Sequence, residues 1–394
     1  MKDIKVPFAL PECGEEEINE LLAVFKSGWL TTASRCARFE KDFARFIGAK
    51  HALAVNSATA ALHLGLEALD ITKGDMVLVP TLTFTATAEV VCYVHAQPIF
   101  VDCDPNTFCM TSEQVEKALK IQGISSDDSR LKAMIPVHFG GHPCDMDSLL
   151  AFSSMNQLKI LEDAAHAFPT RYKERLVGTL SDITCFSFYA NKTMTTGEGG
   201  MLCTNNDKIA QRVKVMRLHG INRDVWARFS TGASWEYDVV APGFKYNMTD
   251  IAAAIGIHQL KKVKKFHEKR QRIAERYYRE LKDVPGLMLP NIHCQMKDHS
   301  WYLFVVLVNS DSTKKAIDRN GLIKELARRQ IGTSVHYKPL HRMSYYKSLY
   351  NLNPSMFPNA ERIFERCLSL PIYSAMNDDQ IEYVIQNIRE ILLP

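Results

Sequence analysis

The sequence has 394 residues, of which 46% are hydrophobic and 23% charged, and its formal net charge is +4 at pH 7. This composition is too apolar for a disordered chain and too interrupted by charge for a membrane span, and the length predicts two packed domains. The nearly neutral charge balance does not by itself demand a nucleic acid or an anionic membrane as a partner.

The ten cysteines form no CxxC pair, and several lie inside apolar stretches, as Cys92 and Cys185 do. This pattern predicts buried reduced thiols in a cytoplasmic protein rather than a disulfide or zinc framework, so we expect no metal site. The N-terminal segment MKDIKVPFALPE lacks the apolar core of a signal peptide, which argues against secretion.

Short apolar runs alternate with helical patterns from about residue 50 to residue 205. The predicted strands are His51–Val55, Met76–Pro80, Pro98–Asp102, Ala133–Val137, Lys159–Glu162, Asp182–Phe188 and Gly200–Thr204. The predicted helices between them are Ala58–Leu69, Thr85–His95, Ser112–Lys120 and Met146–Met155. Repeated strand–helix units predict a mostly parallel sheet flanked by helices, and ligands of such sheets bind beyond the carboxyl ends of the strands.

The last third of the chain predicts a smaller α+β domain. A long helix is expected over Thr249–Lys282, since Pro285 and Gly286 follow its end. The elements predicted after it are a strand at Trp301–Val308, a helix at Thr313–Gln330, a strand at Ile331–Tyr337 and helices at Asn359–Leu368 and Asp378–Leu393. We therefore expect a large α/β domain over residues 1–255 and a small domain over residues 256–394.

The most informative stretch, DITCFSFYANKTMTTGEGGM at 182–201, places Lys192 in a polar turn after an apolar strand that ends at Ser187. A lysine held beyond a strand end, beside small residues, suits a Schiff base with an aldehyde cofactor. An isolated lysine in a turn is more often a solvated surface residue, so the interpretation depends on its context.

Asp163 supplies part of that context because it directly follows the strand predicted at Lys159–Glu162. A carboxylate there could stay ionised against a pyridinium nitrogen. Taken alone, Asp163 is better explained as a helix N-cap. His166 would face the same way if a helical turn follows, although a histidine there is more often structural.

Two further pieces suit a phosphorylated ring. Ser57, Ala58 and Thr59 begin a small-residue helix after a strand, and free N–H groups at such a helix start bind anions. Capping alone would also explain these residues. Phe84 follows another strand and could stack on a flat ring, with a core position as the alternative. No GxGxxG, Walker A or HExxH motif competes with this assignment.

The chain resembles the DegT/StrS group of sugar aminotransferases, which are fold-type I pyridoxal 5'-phosphate (PLP) enzymes. The resemblance extends over nearly the whole chain and is specific in motif order. The motifs that carry it are SGWLTT at 27–32, NSATAAL at 56–62, PVHFGG at 136–141, EDAAHA at 162–167, FSFYANKTMTTGEGG at 186–200, LHG at 218–220 and APGFKYNMTDI at 241–251.

The resemblance implies roles for the site residues. Lys192 would bind the PLP aldehyde as a Schiff base and later move the proton, and Asp163 would pair with the pyridine nitrogen. His166 would lie near the cofactor hydroxyl, and Phe84 would cover one ring face. The residues implied to bind the phosphate are Ser57, Ala58, Thr59 and Ser187.

The resemblance also implies a homodimer whose partner chain completes each site through the stretch matching Gly243–Thr249. Many relatives read GYNYR where this sequence has GFKYN. The usual cross-subunit asparagine is therefore Lys245 here, with Asn247 two residues later. Which of the two reaches the phosphate stays open.

Relatives that dehydrate sugars carry histidine at the position of Lys192, so the resemblance implies transamination. The expected partners are glutamate, which becomes 2-oxoglutarate, and a nucleotide-linked 4-keto sugar for polysaccharide or glycoconjugate synthesis. Similarity to enzymes that form UDP-4-amino sugars, including 4-amino-4-deoxy-L-arabinose, favours a UDP-linked substrate. The residues implied on the substrate side are Trp29, Thr31, His336 and Lys338, with Lys245, Arg228 and Lys338 as candidate cations for the anionic groups.

Two alternatives remain. A dehydratase or a 3-aminotransferase would keep the cofactor and change the product. A nucleic-acid-binding regulator would use residues 261–282, which carry ten Lys or Arg against three Glu. The solvated face of a long helix explains that segment better, because its acids are interleaved and no recognition module appears.

Overall fold

A computed structural model describes residues 4–222, 236–313 and 316–393 of the chain. Its strands form a seven-stranded sheet, a three-stranded sheet and a short hairpin. The strands are β1 (His51–Val55), β2 (Met76–Pro80), β3 (Gln97–Val101), β4 (Leu131–Met134), β5 (Lys159–Asp163), β6 (Arg171–Tyr172), β7 (Arg175–Leu176), β8 (Ile183–Ser187), β9 (Gly200–Thr204), β10 (Leu287–Met288), β11 (Phe304–Val308) and β12 (Cys367–Leu370).

The helices flank these sheets. They are α1 (Glu15–Ser27), α2 (Ser34–Ile47), α3 (Ala58–Ala68), α4 (Ala86–Tyr93), α5 (Ser112–Ile121), α6 (Met146–Met155), α7 (Asp207–Met216), α8 (Asp250–Leu281), α9 (Arg319–Arg328), α10 (Ser344–Leu349), α11 (Pro358–Arg366) and α12 (Asp378–Leu392).

The seven-stranded sheet has the order β1-β9-β8-β5-β4-β2-β3. Its pairs are parallel except where β9 runs against β1 and β8. The central strands are almost wholly buried, β2 at all five positions, because helices cover both faces. The predicted mostly parallel α/β sheet is thus confirmed, and the polar residues at its carboxyl edge lie close together.

The last third of the chain is built on the sheet β10-β11-β12, against which α8 and α12 pack. Tyr277 of α8 and Phe304 of β11 meet edge to face there, with ring centroids 5.0 Å apart. Tyr302 and Leu303, just before β11, instead join the core of the large sheet. A domain boundary between residues 255 and 256 stays a prediction, because α8 continues unbroken through that point.

Three element predictions in this part were wrong. Ile331–Tyr337 is not a strand: it makes single bridges at Ile331 and Ser334 and then turns toward the large sheet. The helix expected from Thr313 begins at Arg319, because the Asp318 side chain caps it by accepting from the Gly321 N–H group at 2.7 Å.

The helix expected over Asn359–Leu368 ends at Arg366, and β12 follows directly. Its residues Cys367–Leu370 pair with β11 and are fully buried. Burial against β11 therefore overrides the helical pattern at Cys367 and Leu368.

Helices α1, α2 and α7 were not predicted. The signals for α1 were present, since Glu15, Glu16 and Glu17 fill its first turn and Gly28 ends it with φ of 70°. Its apolar face is narrow, which hid the helical period.

The basic segment 261–282 forms most of α8, and several of its cations are paired within the chain. Lys262 lies 2.7 Å from Glu17, and Lys269 lies 2.9 Å from Glu12. These contacts fasten α8 to the N-terminal segment, which supports a packed helix face over a nucleic-acid surface.

Across the described ranges, no helix combines the length and apolarity needed to cross a bilayer. Within the same residues, no group of three or more His, Cys, Asp or Glu side chains is arranged to hold a metal ion. The ten cysteines are free thiols, seven of them buried.

Candidate functional site

A cavity of about 320 Å³ opens beyond the carboxyl ends of β1, β2, β5 and β8. Each of these strands delivers a polar residue to it at or just after its last position: Ser57, Thr83, Asp163 and Ser187. The complete lining is Ser57, Ala58, Thr59, Leu62, Thr83, Phe84, Ala86, Val137, Asp163, Ala165, His166, Ser187, Tyr189, Asn191, Lys192, Glu198, Gly199, Tyr302, His336 and Tyr337.

Most of the residues predicted from the sequence meet in this cavity. Those that line it are Ser57, Ala58, Thr59, Phe84, Asp163, His166, Ser187, Lys192 and His336. Those outside its lining are Trp29, Thr31, Lys245, Asn247 and Lys338. Arg228 lies outside the described residues.

Lys192 is half-buried in the turn after β8, where its N–H group donates to the Tyr189 carbonyl at 2.9 Å. Its Nζ lies 4.1 Å from the centroid of the Tyr302 ring, within range of a cation–π interaction. Tyr302 also donates from its hydroxyl to Asn191 Oδ1 at 3.1 Å. The amine is therefore held inside the cavity, unlike that of a solvated surface lysine.

Asp163 ends β5 with only 5% of its surface exposed. Its Oδ2 accepts from the Thr87 hydroxyl at 2.8 Å, and its Oδ1 accepts from the Ala165 N–H group at 3.1 Å. No helix follows it, so the N-cap interpretation is wrong. Burial raises the pKa of Asp163, while the Ala165 N–H, the Thr87 hydroxyl and the Lys192 charge act to lower it.

His166 is held at both ring nitrogens. Nδ1 accepts from the Gly140 N–H group at 3.2 Å, so in the neutral ring Nε2 carries the proton and donates to the Tyr337 hydroxyl at 3.0 Å. Burial, followed by the Lys192 charge, lowers the pKa of His166 well below its ordinary value. A neutral imidazole, packed 4.4 Å from the Tyr302 ring, follows.

Ser57 caps α3 by accepting from the Ala60 N–H group at 3.0 Å, and the first-turn N–H groups of Ala58 and Thr59 lie at the cavity. Gly200 approaches them closely: a Cβ there would lie 2.5 Å from the Ser57 carbonyl oxygen and 2.7 Å from the Ala58 nitrogen. Only glycine permits this approach. With the Ser187 hydroxyl nearby in the lining, the helix start forms an anion cradle.

Two rings border the rest of the cavity. Phe84 is 57% exposed, which excludes the core position considered as its alternative, and its centroid lies 6.0 Å from that of Tyr337. His336 is bonded to the Ser369 hydroxyl at 2.7 Å, and burial, with the Lys192 charge second, lowers its pKa to about 4. An amine, a buried carboxylate, an anion cradle and flat ring faces in one cavity fit a phosphorylated heteroaromatic aldehyde.

Trp29 and Thr31 belong to a surface cluster with the 245–250 segment. Asn247 Nδ2 donates to the Thr32 hydroxyl at 2.6 Å, and the Asp250 N–H group donates to the Thr31 carbonyl at 3.3 Å. Lys245 and Lys338 are exposed. The predicted roles of these residues stay predictions.

Several lining residues were missed by the sequence analysis: Asn191, Glu198, Tyr302 and Tyr337, with Thr87 behind Asp163. Tyr302 and Tyr337 are supplied by chain more than 100 residues after Lys192, and no local pattern marks them. Thr87 lies inside the TFTAT motif, which could have drawn attention to it.

Residues 11–389 match the model of the DegT/DnrJ/EryC1/StrS aminotransferase family. The spore coat polysaccharide biosynthesis protein SpsC of Bacillus subtilis is 43% identical and covers 98% of this chain and 97% of its own length. Spr1654 of Streptococcus pneumoniae, assigned as a sugar aminotransferase, superposes in its PLP form with a TM-score of 0.87, 31% identity and coverage of 99% of this chain and 100% of that one. Helicobacter pylori PseC, an aminotransferase involved in the biosynthesis of pseudoaminic acid, gives a TM-score of 0.87 at 26% identity and 99% coverage of both chains.

Proposed function

Because the chain belongs to the DegT/DnrJ/EryC1/StrS aminotransferase family, we propose that it transfers the amino group of glutamate to carbon 4 of a UDP-linked 4-keto sugar. The family, the fold of PLP-dependent sugar aminotransferases and the PLP cofactor predicted from the sequence are confirmed. The nucleotide, the carbon and the amino donor are the proposed part.

The observation that carries the proposal is the meeting of Lys192 and Asp163 in one cavity with the anion cradle at the start of α3. When bound, PLP supplies an electron sink that lets an amino group leave one carbon and join another. The α3 start and the Ser187 hydroxyl would hold its phosphate. Lys192 would anchor the cofactor and move a proton at Nζ, and Asp163 would hold the proton at the ring nitrogen.

The choice of a nucleotide-linked sugar is supported by the relatives and by charge. SpsC is named for spore coat polysaccharide synthesis and PseC for pseudoaminic acid synthesis, so amino sugars recur among similar proteins. The similarity of GFKYN and of residues 331–341 to enzymes forming UDP-4-amino sugars favours UDP. Exposed Lys245 and Lys338 are available for anionic groups.

The test is an assay of UDP-, GDP- and dTDP-linked 4-keto sugars with glutamate, using Lys192→Ala as the blank. We expect one 2-oxoglutarate per amino sugar, an amine at carbon 4 by carbon-13 connectivity, and parallel double-reciprocal plots, because nitrogen waits on the enzyme between the two substrates. Amination at carbon 3, loss of a hydroxyl without amination, or preference for a sugar without a nucleotide would contradict the proposal.

A homodimer with shared sites is part of the proposal. Helix α1 exposes Ile18, Leu22 and Phe25 at helical spacing, with 49%, 49% and 59% of their surfaces accessible. An apolar stripe of this kind supports a subunit contact. The cluster that joins residues 29–32 to the 245–250 segment lies outside the lining of its own cavity, as expected if it serves the partner.

Mixing two inactive chains tests shared sites. We expect Lys192→Ala mixed with a Lys245→Ala/Asn247→Ala chain to recover about one quarter of wild-type activity, because half of randomly formed dimers contain one intact site of two. Lys192→Ala mixed with Lys192→Arg should recover none. Exchange of subunits without recovery in the first mixture would exclude a shared site.

A further inference from the structure

The backbone of Asp163 is fixed by the sheet, but its carboxylate is not. The Asp163 N–H group donates to the Pro136 carbonyl at 2.9 Å, and the Asp163 carbonyl accepts from the His138 N–H group at 3.2 Å. These bonds hold the strand end between β4 and β8. They leave open which carboxylate oxygen faces the cavity, so that choice depends on the contacts of the side chain.

Two donors make that choice. The Ala165 N–H group holds Oδ1, and the Thr87 hydroxyl holds Oδ2. Thr87 is fully buried, in the first turn of α4, and its hydroxyl also lies 2.8 Å from that of Thr83. A threonine hydroxyl has one proton, so when Thr87 donates to Asp163 it must accept from Thr83. Hydrogen bonding therefore runs in one direction, from Thr83 through Thr87 to Asp163.

This chain matters because a buried carboxylate loses the hydration that stabilises its charge. Donors to the ionised form replace that hydration and keep the group charged. A donor that is itself buried and held by another hydroxyl does so in one geometry, without reorganising.

We propose that Thr87, oriented by Thr83, is a positioning residue that fixes the Asp163 carboxylate in its ionised form against the ring nitrogen of PLP. The inference rests on the role of Asp163 in the proposed function. It adds a residue that lies behind the cavity lining and acts only through Asp163.

The chain offers a matched control one residue away. Thr184 is 1% exposed and donates to Glu162 Oε1 at 2.9 Å, so it also joins a buried hydroxyl to a buried carboxylate. Glu162 precedes Asp163 in β5 and points to the opposite face of the sheet, away from the cavity lining. Loss of either hydroxyl should cost similar stability, but only Thr87 should affect the cofactor.

The experiment follows the ring-nitrogen proton in PLP-loaded enzyme without sugar, by nitrogen-15 NMR of labelled cofactor across a pH series. In Thr87→Val the nitrogen should lose its proton at lower pH than in wild type, and kcat should fall roughly tenfold with little change in the KM for sugar. Thr87→Ser should restore both values, and Thr184→Val should leave both unchanged.

A wild-type nitrogen titration in Thr87→Val, or an equal shift in Thr184→Val, would overturn the inference. If Thr87→Val fails to fold, Thr83→Val should give a smaller shift of the same sign, and no shift would count against the proposal. The titration needs no sugar, so it decides the role of Thr87 even if the enzyme rejects every UDP-linked substrate.

Discussion

Replacement of Lys192 by alanine is expected to abolish amino transfer while the chain still folds. The amine is the nucleophile of the cavity, held 4.1 Å from the Tyr302 ring centroid, and alanine removes both the covalent anchor and the proton carrier. General acid–base catalysis alone contributes about 100- to 10,000-fold, so we expect a loss of at least about 1,000-fold in kcat. Steady-state assay with glutamate and the preferred keto sugar measures it.

Lys192→Arg separates chemistry from charge. A guanidinium keeps a cation over Tyr302 but cannot take the place of the amine as a nucleophile. Both variants should therefore be inactive, and borohydride, which should bleach the yellow wild-type enzyme irreversibly, should leave neither with covalently attached cofactor. Turnover by Lys192→Ala within tenfold of wild type would refute the assignment.

Asp163→Asn is expected to bind PLP and turn over about 100- to 1,000-fold more slowly. A carboxylate in contact with a pyridinium stabilises its proton by about 4 kcal/mol at an effective dielectric constant of 20, and an amide removes most of that energy. The ring nitrogen should then lose its proton at lower pH, as a spectroscopic pH titration would detect. Rates like those of wild type would mean that another group holds this proton.

The same substitution has the opposite effect on stability without cofactor. Burial raises the pKa of Asp163, so the folded chain holds this proton more tightly than the unfolded chain does, and ionisation costs folding free energy as the pH rises. Asparagine avoids that cost. At neutral pH the cofactor-free variant should unfold at a temperature no lower than cofactor-free wild type, and a marked decrease would show that Asp163 is mainly structural.

Much of the large domain could be predicted because its signals are local. β1, β2, β9 and α6 have the predicted bounds, since unbroken apolar runs and helical periods end at clear turn residues. The end of β8 at Ser187 is another such case. Prediction failed at β12, where contact with β11, about 60 residues earlier, decides the conformation of Cys367–Leu370.

The candidate site divides in the same way. Asp163, Ser57 and Ser187 reach the cavity because each lies at the carboxyl end of a strand in one sheet, which strand order alone makes probable. Tyr302 and Tyr337 arrive from the far end of the chain. The donors to Asp163 depend on the rotamer of one buried threonine, on which the motif is silent.

By itself, the sequence determined the mostly parallel α/β fold, the family and the PLP cofactor, because these depend on periodicity and on motifs a few residues long. Only the tertiary structure decided that Lys192 rests on Tyr302 and that Thr87 orients Asp163. It alone also placed residues 29–32 with the 245–250 segment, outside the cavity lining. Such contacts join segments dozens to hundreds of residues apart, and packing of the whole chain, rather than any local preference, sets their geometry.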